Sequence, residues 1–228
     1  LAAQAGIRQP HQGPLGMKQN GVALVTGLVL LTAVSLLALS AANSMTLHQR
    51  QAANFSDKTH ALEQAHGAEA WARGWLFSRE DIERESGCVF GCTLPAAIRP
   101  PGEIPDKPQF ESLAWWRLNG HEAGIHPESG ADLAPRTDGF DPSYWIMEER
   151  YFEPLETENA AGIAYYRIFA RGRGKHPRSV AVTETIVARP WQGDYDASAF
   201  PPGTDQRTFC RQFSREVPCG VVAWRRLR

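Results

Sequence analysis

The residues of this chain best equipped for chemistry are four cysteines and a short histidine-bearing run. Cys88 and Cys92 stand at i, i+4 in CVFGC, and Cys210 and Cys219 lie close together near the C-terminus. Thiols in this number either pair as disulfides in an oxidising compartment or hold a metal. Spacing favours Cys88–Cys92 closing a tight loop and Cys210–Cys219 closing a longer one. The cross-pairing, which would staple the middle of the chain to its C-terminus, stays open. A four-cysteine zinc site is disfavoured because neither pair has C-x-x-C spacing. His121-Glu122-Ala123-Gly124-Ile125-His126 comes nearest to the helical metal motif H-E-x-x-H. Its histidines are at i, i+5, however, on different faces of any helix, and Gly124 argues against a helix there. His60 and His66 share the defect of spacing. There is no G-x-S-x-G, no P-loop and no G-x-G-x-x-G opening a helix after a strand. The expectation is a protein without catalytic residues, without a metal and without a cofactor.

Composition narrows the class. Of 228 residues, 43% are hydrophobic, 10% aromatic and 21% charged, which suits a folded protein with a core and excludes disordered and collagen-like chains. Lys+Arg number 24 against Asp+Glu 25, a formal charge of −1, so no overall basic field exists to bind nucleic acid. One basic cluster, Arg171, Arg173, Lys175, His176 and Arg178, sits at a strand turn and reads as a solvated charge run.

The elements that must position these residues begin with Val22–Ala42, which carries no charge. At about 1.5 Å per residue it reaches roughly 30 Å, one hydrocarbon thickness. Arg8 and Lys18 precede it with no acid to offset them, and the first acidic residue is Asp57. That bias puts the N-terminus in the cytoplasm and the remainder beyond the membrane. Three fates compete: a signal peptide cleaved after Ala42, an uncleaved anchor, or the first half of a longer helix. Leu47, Phe55, Leu62, Ala65, Ala72 and Leu76 recur in steps of three and four, so helix is expected to continue to residue 80, amphipathic over 43–80, with Gly67 its weak point.

Residues 81–141 are rich in Pro and Gly and read as irregular structure with short elements. Over 142–228 the signal becomes β: 143–152, 162–171 and 179–189 are rich in β-branched and aromatic residues, and a further strand is expected over 220–226. Gly172 to Lys175 is read as the turn between the second and third runs. The alternation of Val180, Val182, Glu184 and Ile186 with Ala181, Thr183, Thr185 and Val187 fits an antiparallel sheet with one face on the helix. The fold class is α+β: a long N-terminal helix, transmembrane first and amphipathic second, packed on an antiparallel sheet of about four strands.

Met17-Lys18-Gln19-Asn20-Gly21, followed directly by Val22-Ala23-Leu24-Val25, resembles the processing region of type IV prepilins. The resemblance implies Met17 as the start, residues 1–21 as leader or upstream extension, cleavage by prepilin peptidase between Gly21 and Val22, and N-methylation of Val22. Position five of the mature chain is then Thr26, where major pilins carry a Glu that neutralises a neighbour's terminal ammonium. A missing Glu resembles PilX-type minor pilins and the tip-capping pseudopilin of type II secretion. Ala52-Ala53-Asn54-Phe55, Ala65 to Trp71, Pro142 to Glu148 and Tyr166-Arg167-Ile168-Phe169-Ala170-Arg171-Gly172-Arg173-Gly174 are similar to PilX-family segments, so the likeness covers 17–80 and about 142–190. It implies a pilin-like fold, an inner-membrane single-pass state with a periplasmic domain before assembly, and a place in a pilus at the cell surface. Partners would be other minor and major pilins through the N-terminal helix, with roles in adhesion or twitching motility. Cys210–Cys219 then resembles the C-terminal disulfide loop of pilins. A pseudopilin, or a signal-anchored periplasmic enzyme or binding protein, are the alternatives.

Overall fold

The structure, a computed structural model, describes residues 22–79, 97–134, 141–154, 162–191 and 205–228. The fold is α+β, as expected. Helix α1 runs unbroken over Val22–Phe77, a stretch free of proline and dense in Ala, Leu, Gln and Glu. Gly67 does not interrupt it; a Cβ there would meet nothing, so the residue lies on the open side of the helix. The helix stops three residues before the expected end. There the Ser78 amide donates to the Gly74 carbonyl and its hydroxyl to the Trp75 carbonyl, satisfying acceptors the last turn leaves over.

The chain divides into two units, 1–52 and 53–228. The described part of the first is helix alone, and every residue of it is exposed. In the second, a six-stranded sheet has the order β1-β3-β4-β5-β6, with β2 also on β3. The long strands are β3 (Tyr144–Pro154), β4 (Gly162–Arg173), β5 (Val180–Trp191) and β6 (Gly220–Arg226), each antiparallel to the next. These are the four expected runs, each within two residues of its reading. Two further strands come from the Pro/Gly-rich stretch. β1 (Ile98–Arg99) adds parallel to β3, and β2 (His121–Glu122) adds antiparallel to it. Between them stands a short helix α2 (Leu113–Asn119), whose first turn is capped by the Ser112 hydroxyl accepting from the Trp115 amide at 3.2 Å.

Both faces of the sheet are covered, where the alternation had led us to expect one. Trp145, Met147, Tyr166, Ile168, Ala170 and Val187 pack with Ala68, Ala72, Trp75, Leu76 and Phe77 of α1. On the opposite face Tyr144, Ile146, Phe169 and Val182 pack with Ile104 and Trp116 from the stretch before β3. That second core explains the near-continuous burial of β3 and β4. The same face holds a buried ion cluster, in which Glu148, wholly inaccessible to solvent, pairs with Arg150 at 3.0 Å and with Arg167. Arg167 is thus paired, and Arg171, read as part of a solvated charge run, is buried.

The amphipathic face of α1 also needs correction. Leu47 and Phe55 are exposed, and burial begins at Ala61. From there Ala61, Ala65, Ala68 and Ala72 form a buried stripe at helical spacing, so only methyl groups separate the two backbones. Opposite the stripe lie the glycines assigned to a turn. Gly172 is inside β4, and a Cβ on it would stand 2.1 Å from the Ala61 carbonyl oxygen and 2.3 Å from the Ala65 nitrogen. A Cβ on Gly174 would stand 2.6 Å from the Asp57 carbonyl oxygen. The glycines are there for close approach of strand to helix, and the turn itself follows them. Gly172→Val in the full chain in detergent micelles is expected to cost about 1–3 kcal/mol by urea denaturation, because backbone on both sides must move. Gly67→Ala, which fills open space in mid-helix, is expected to be neutral or to stabilise by up to about 1 kcal/mol.

Candidate functional site

The first functional element is the apolar start of α1. Val22, Leu24, Leu28, Leu31, Leu36 and Leu39 are all exposed, Leu24 at 74%, and the segment is apolar on every side. It is, among the described residues, the one helix long and apolar enough to cross a membrane. Its hydroxyls suit that use. Thr26 donates to the Val22 carbonyl at 3.0 Å, Thr32 to Val29 at 2.8 Å and Ser35 to Leu31 at 2.7 Å, so none of the three needs water. Thr26 therefore supplies no carboxylate and keeps its hydroxyl on its own helix. Gly21, the residue on the other side of the expected cleavage point, lies outside the described residues, as does Met17.

The second element is a clamp between α1 and the β4–β5 turn. Asp57 lies one turn before the alanine stripe, and its carboxylate accepts from the Lys175 amide and from the His176 amide at 3.3 Å. The Ser179 hydroxyl foremost, opposed by desolvation and then aided by the His176 and Lys175 amides, holds the Asp57 carboxyl below its ordinary 3.8. The basic run is therefore dispersed by the fold. Arg171 is buried, Arg173 pairs with Asp141, and only Lys175, His176 and Arg178 stand exposed at the turn.

The two histidines of the run are held in different ways. β2 holds His121 against the Trp145 ring, centroids 4.7 Å apart, and burial, with Arg99 nearby, keeps His121 below its usual 6.5. His126 instead accepts from the Glu128 and Ser129 amides in a tight turn, both at 3.3 Å. No three His, Cys, Asp or Glu side chains converge among the described residues. Cys210 and Cys219 are joined as a disulfide, Cα atoms 5.6 Å apart, between helix α3 (Asp205–Cys210) and β6. Cys88 and Cys92 lie outside the described residues.

The sequence reading missed what seats the disulfide loop. Arg189, at the end of β5 and wholly buried, donates to the Arg79 carbonyl and lies 3.5 Å from the Trp191 ring centroid and 4.9 Å from that of Phe209. Phe209 meets Phe77 edge-on at 5.3 Å, and Arg73 donates to Gln206 at 2.6 Å. Helix end, strand end and loop are thus one packed joint. Nothing in the local pattern around Arg189 distinguishes it from an ordinary strand-end arginine. Arg207, Arg211 and Arg215, in contrast, repeat at i, i+4, i+8, a signal present in the sequence and not taken up.

Among protein families, the PilX N-terminal family matches residues 20–70, which takes in the apolar start of α1, Asp57 and the first three of the four stripe alanines. No curated protein and no solved structure matches the chain. The match agrees with the resemblance to PilX-type pilins read from the sequence, and one N-terminal apolar helix fits single-pass membrane anchoring.

The clamp makes a pH prediction. Because the folded pKa of Asp57 is lowered, its contribution is full above the unfolded value of about 4 and is lost as pH falls through the folded one. Asp57→Asn should lower the urea midpoint at pH 7, and the gap to the unsubstituted chain should close below about pH 4.

Proposed function

We propose that this chain is a minor pilin, a non-enzymatic subunit that takes part in building a type IV pilus and thereby in pilus-dependent adhesion or twitching motility. The observation that carries the reading is the match of residues 20–70 to the PilX N-terminal family on a helix whose first part is apolar on all sides. Such a helix cannot remain in water: each large aliphatic side chain it buries contributes about 1.5–3 kcal/mol. Held in the inner membrane, with residues 43–228 on the periplasmic side, it exchanges lipid for other pilin helices when a filament grows. Assembly is then the replacement of one apolar solvent by another, driven by packing.

Thr26 bears on position in the filament. A buried terminal ammonium needs a neutralising partner, and Thr26, bonded to its own helix, offers none. A subunit without that carboxylate fits an initiating or tip position, where no neighbour presents an ammonium to it. Prepilin peptidase, then the helices of other minor and major pilins, are the partners of this reading.

The mass of the N-terminal peptide of the mature protein tests it. The expected result is a chain beginning at Val22 with a methylated amine. A terminus at Asn43 would mean that the apolar segment is discarded, and a terminus upstream of Val22 would mean that it is a plain anchor; either overturns the proposal.

A further inference from the structure

The loop closed by Cys210–Cys219 and the end of α1 enclose a groove of about 790 Å³, a size in the range of ligand sites. Arg73, Arg207, Arg211 and Arg215 line it, and among the described residues no carboxylate does. Arg73 is held in place by Glu69 at 3.2 Å and by Gln206. Arg207, Arg211 and Arg215 are exposed, and among the described residues their guanidinium groups have no ion pair or hydrogen bond. The loop's one acid, Glu216, is exposed and outside the lining. Phe213, Val217 and the disulfide give the lining an apolar part. From Cys219 the chain passes directly into β6, which ends the sheet, so its outer edge carries no strand among the described residues.

We propose that this groove binds an extended acidic segment of a partner protein, whose carboxylates meet Arg207, Arg211 and Arg215 and whose backbone adds to the free edge of β6. Three observations select this occupant. Guanidinium groups without counter-charges around one concavity call for anions, and carboxylates take bidentate pairs from them. An open strand edge offers amides and carbonyls that a peptide backbone completes and a phosphodiester does not. The apolar part of the lining accepts the alternate side chains of such a strand, which in an extended segment point away from its acidic ones. Val221 and Val222, at the start of β6, are exposed as well.

The test is fluorescence anisotropy with the full chain in detergent micelles and a short labelled peptide alternating glutamate with valine. Binding is expected, weakening as salt is raised, with little binding of the same peptide carrying lysine for glutamate. The double variant Arg211→Glu, Arg215→Glu, both exposed and so tolerated by the fold, should lose at least about tenfold in affinity, whereas Arg178→Glu in the β4–β5 turn should not. Methylating alternate peptide amides should also weaken binding by removing the bonds to β6. No binding of the glutamate peptide, equal binding by the double variant, undiminished binding of the methylated peptide, or tighter binding of oligothymidylate would each overturn the assignment.

Discussion

When a helix crosses a β-strand at backbone distance, both surfaces must give up their side chains, and the crossing of α1 over β4 is built on that exchange. Ala61, Ala65, Ala68 and Ala72 supply the helix side, and Gly172 and Gly174 supply the strand side, where a single added carbon would lie well inside van der Waals contact with helix backbone. The Asp57 carboxylate closes the same joint by taking the amides of the turn that follows. Everything in the second unit is arranged around this line. The sheet's helix-side core fills the space on one side, and the chain beyond Phe77 starts from a fixed place, so Arg79 and Arg189 can seat the disulfide loop.

The same helix carries two incompatible solvents along one element. Up to Leu39 its large side chains are apolar all round and covered by nothing among the described residues, while from Ala61 its apolar face is narrow and covered by the sheet. Self-bonded hydroxyls at Thr26, Thr32 and Ser35 let the first part enter lipid or a bundle of like helices without stranding a polar group. The Asp57 clamp and the alanine stripe keep the second part on its domain whichever apolar surroundings hold the first. A subunit that moves from membrane to filament needs that division, because its folded part must stay unchanged while the surroundings of its helix are exchanged.

Much of this was legible in the residues. The strands announced themselves through β-branched and aromatic runs, and β6 falls on Gly220–Arg226 as read, because a disulfide loop before it and a short apolar run leave little choice of register. Val22–Ala42 was legible through length and lack of charge alone. Gly172 and Gly174 were misread because a turn and a close crossing both demand glycine, and only the position of the helix tells them apart. Leu47 and Phe55 were misread because periodicity records an apolar face without recording what covers it. The second core could not be read at all: Ile104 and Trp116 are remote in sequence from Phe169 and Val182, and a Pro-rich stretch gives no period to follow. The arginines of the disulfide loop were visible at helical spacing, yet acquired meaning only when the fold set them around one groove that no carboxylate among the described residues lines.

The account rests most heavily on the uncovered apolar surface of α1 being a surface for other helices. A photoreactive amino acid placed at Leu31, exposed at 71%, reports directly on what touches it. In cells that assemble filaments, the account predicts cross-links to the N-terminal helices of other pilin subunits in the sheared surface fraction, and cross-links to lipid in the membrane fraction. A chain found only in the membrane fraction, cross-linked to lipid and to no subunit, would contradict it.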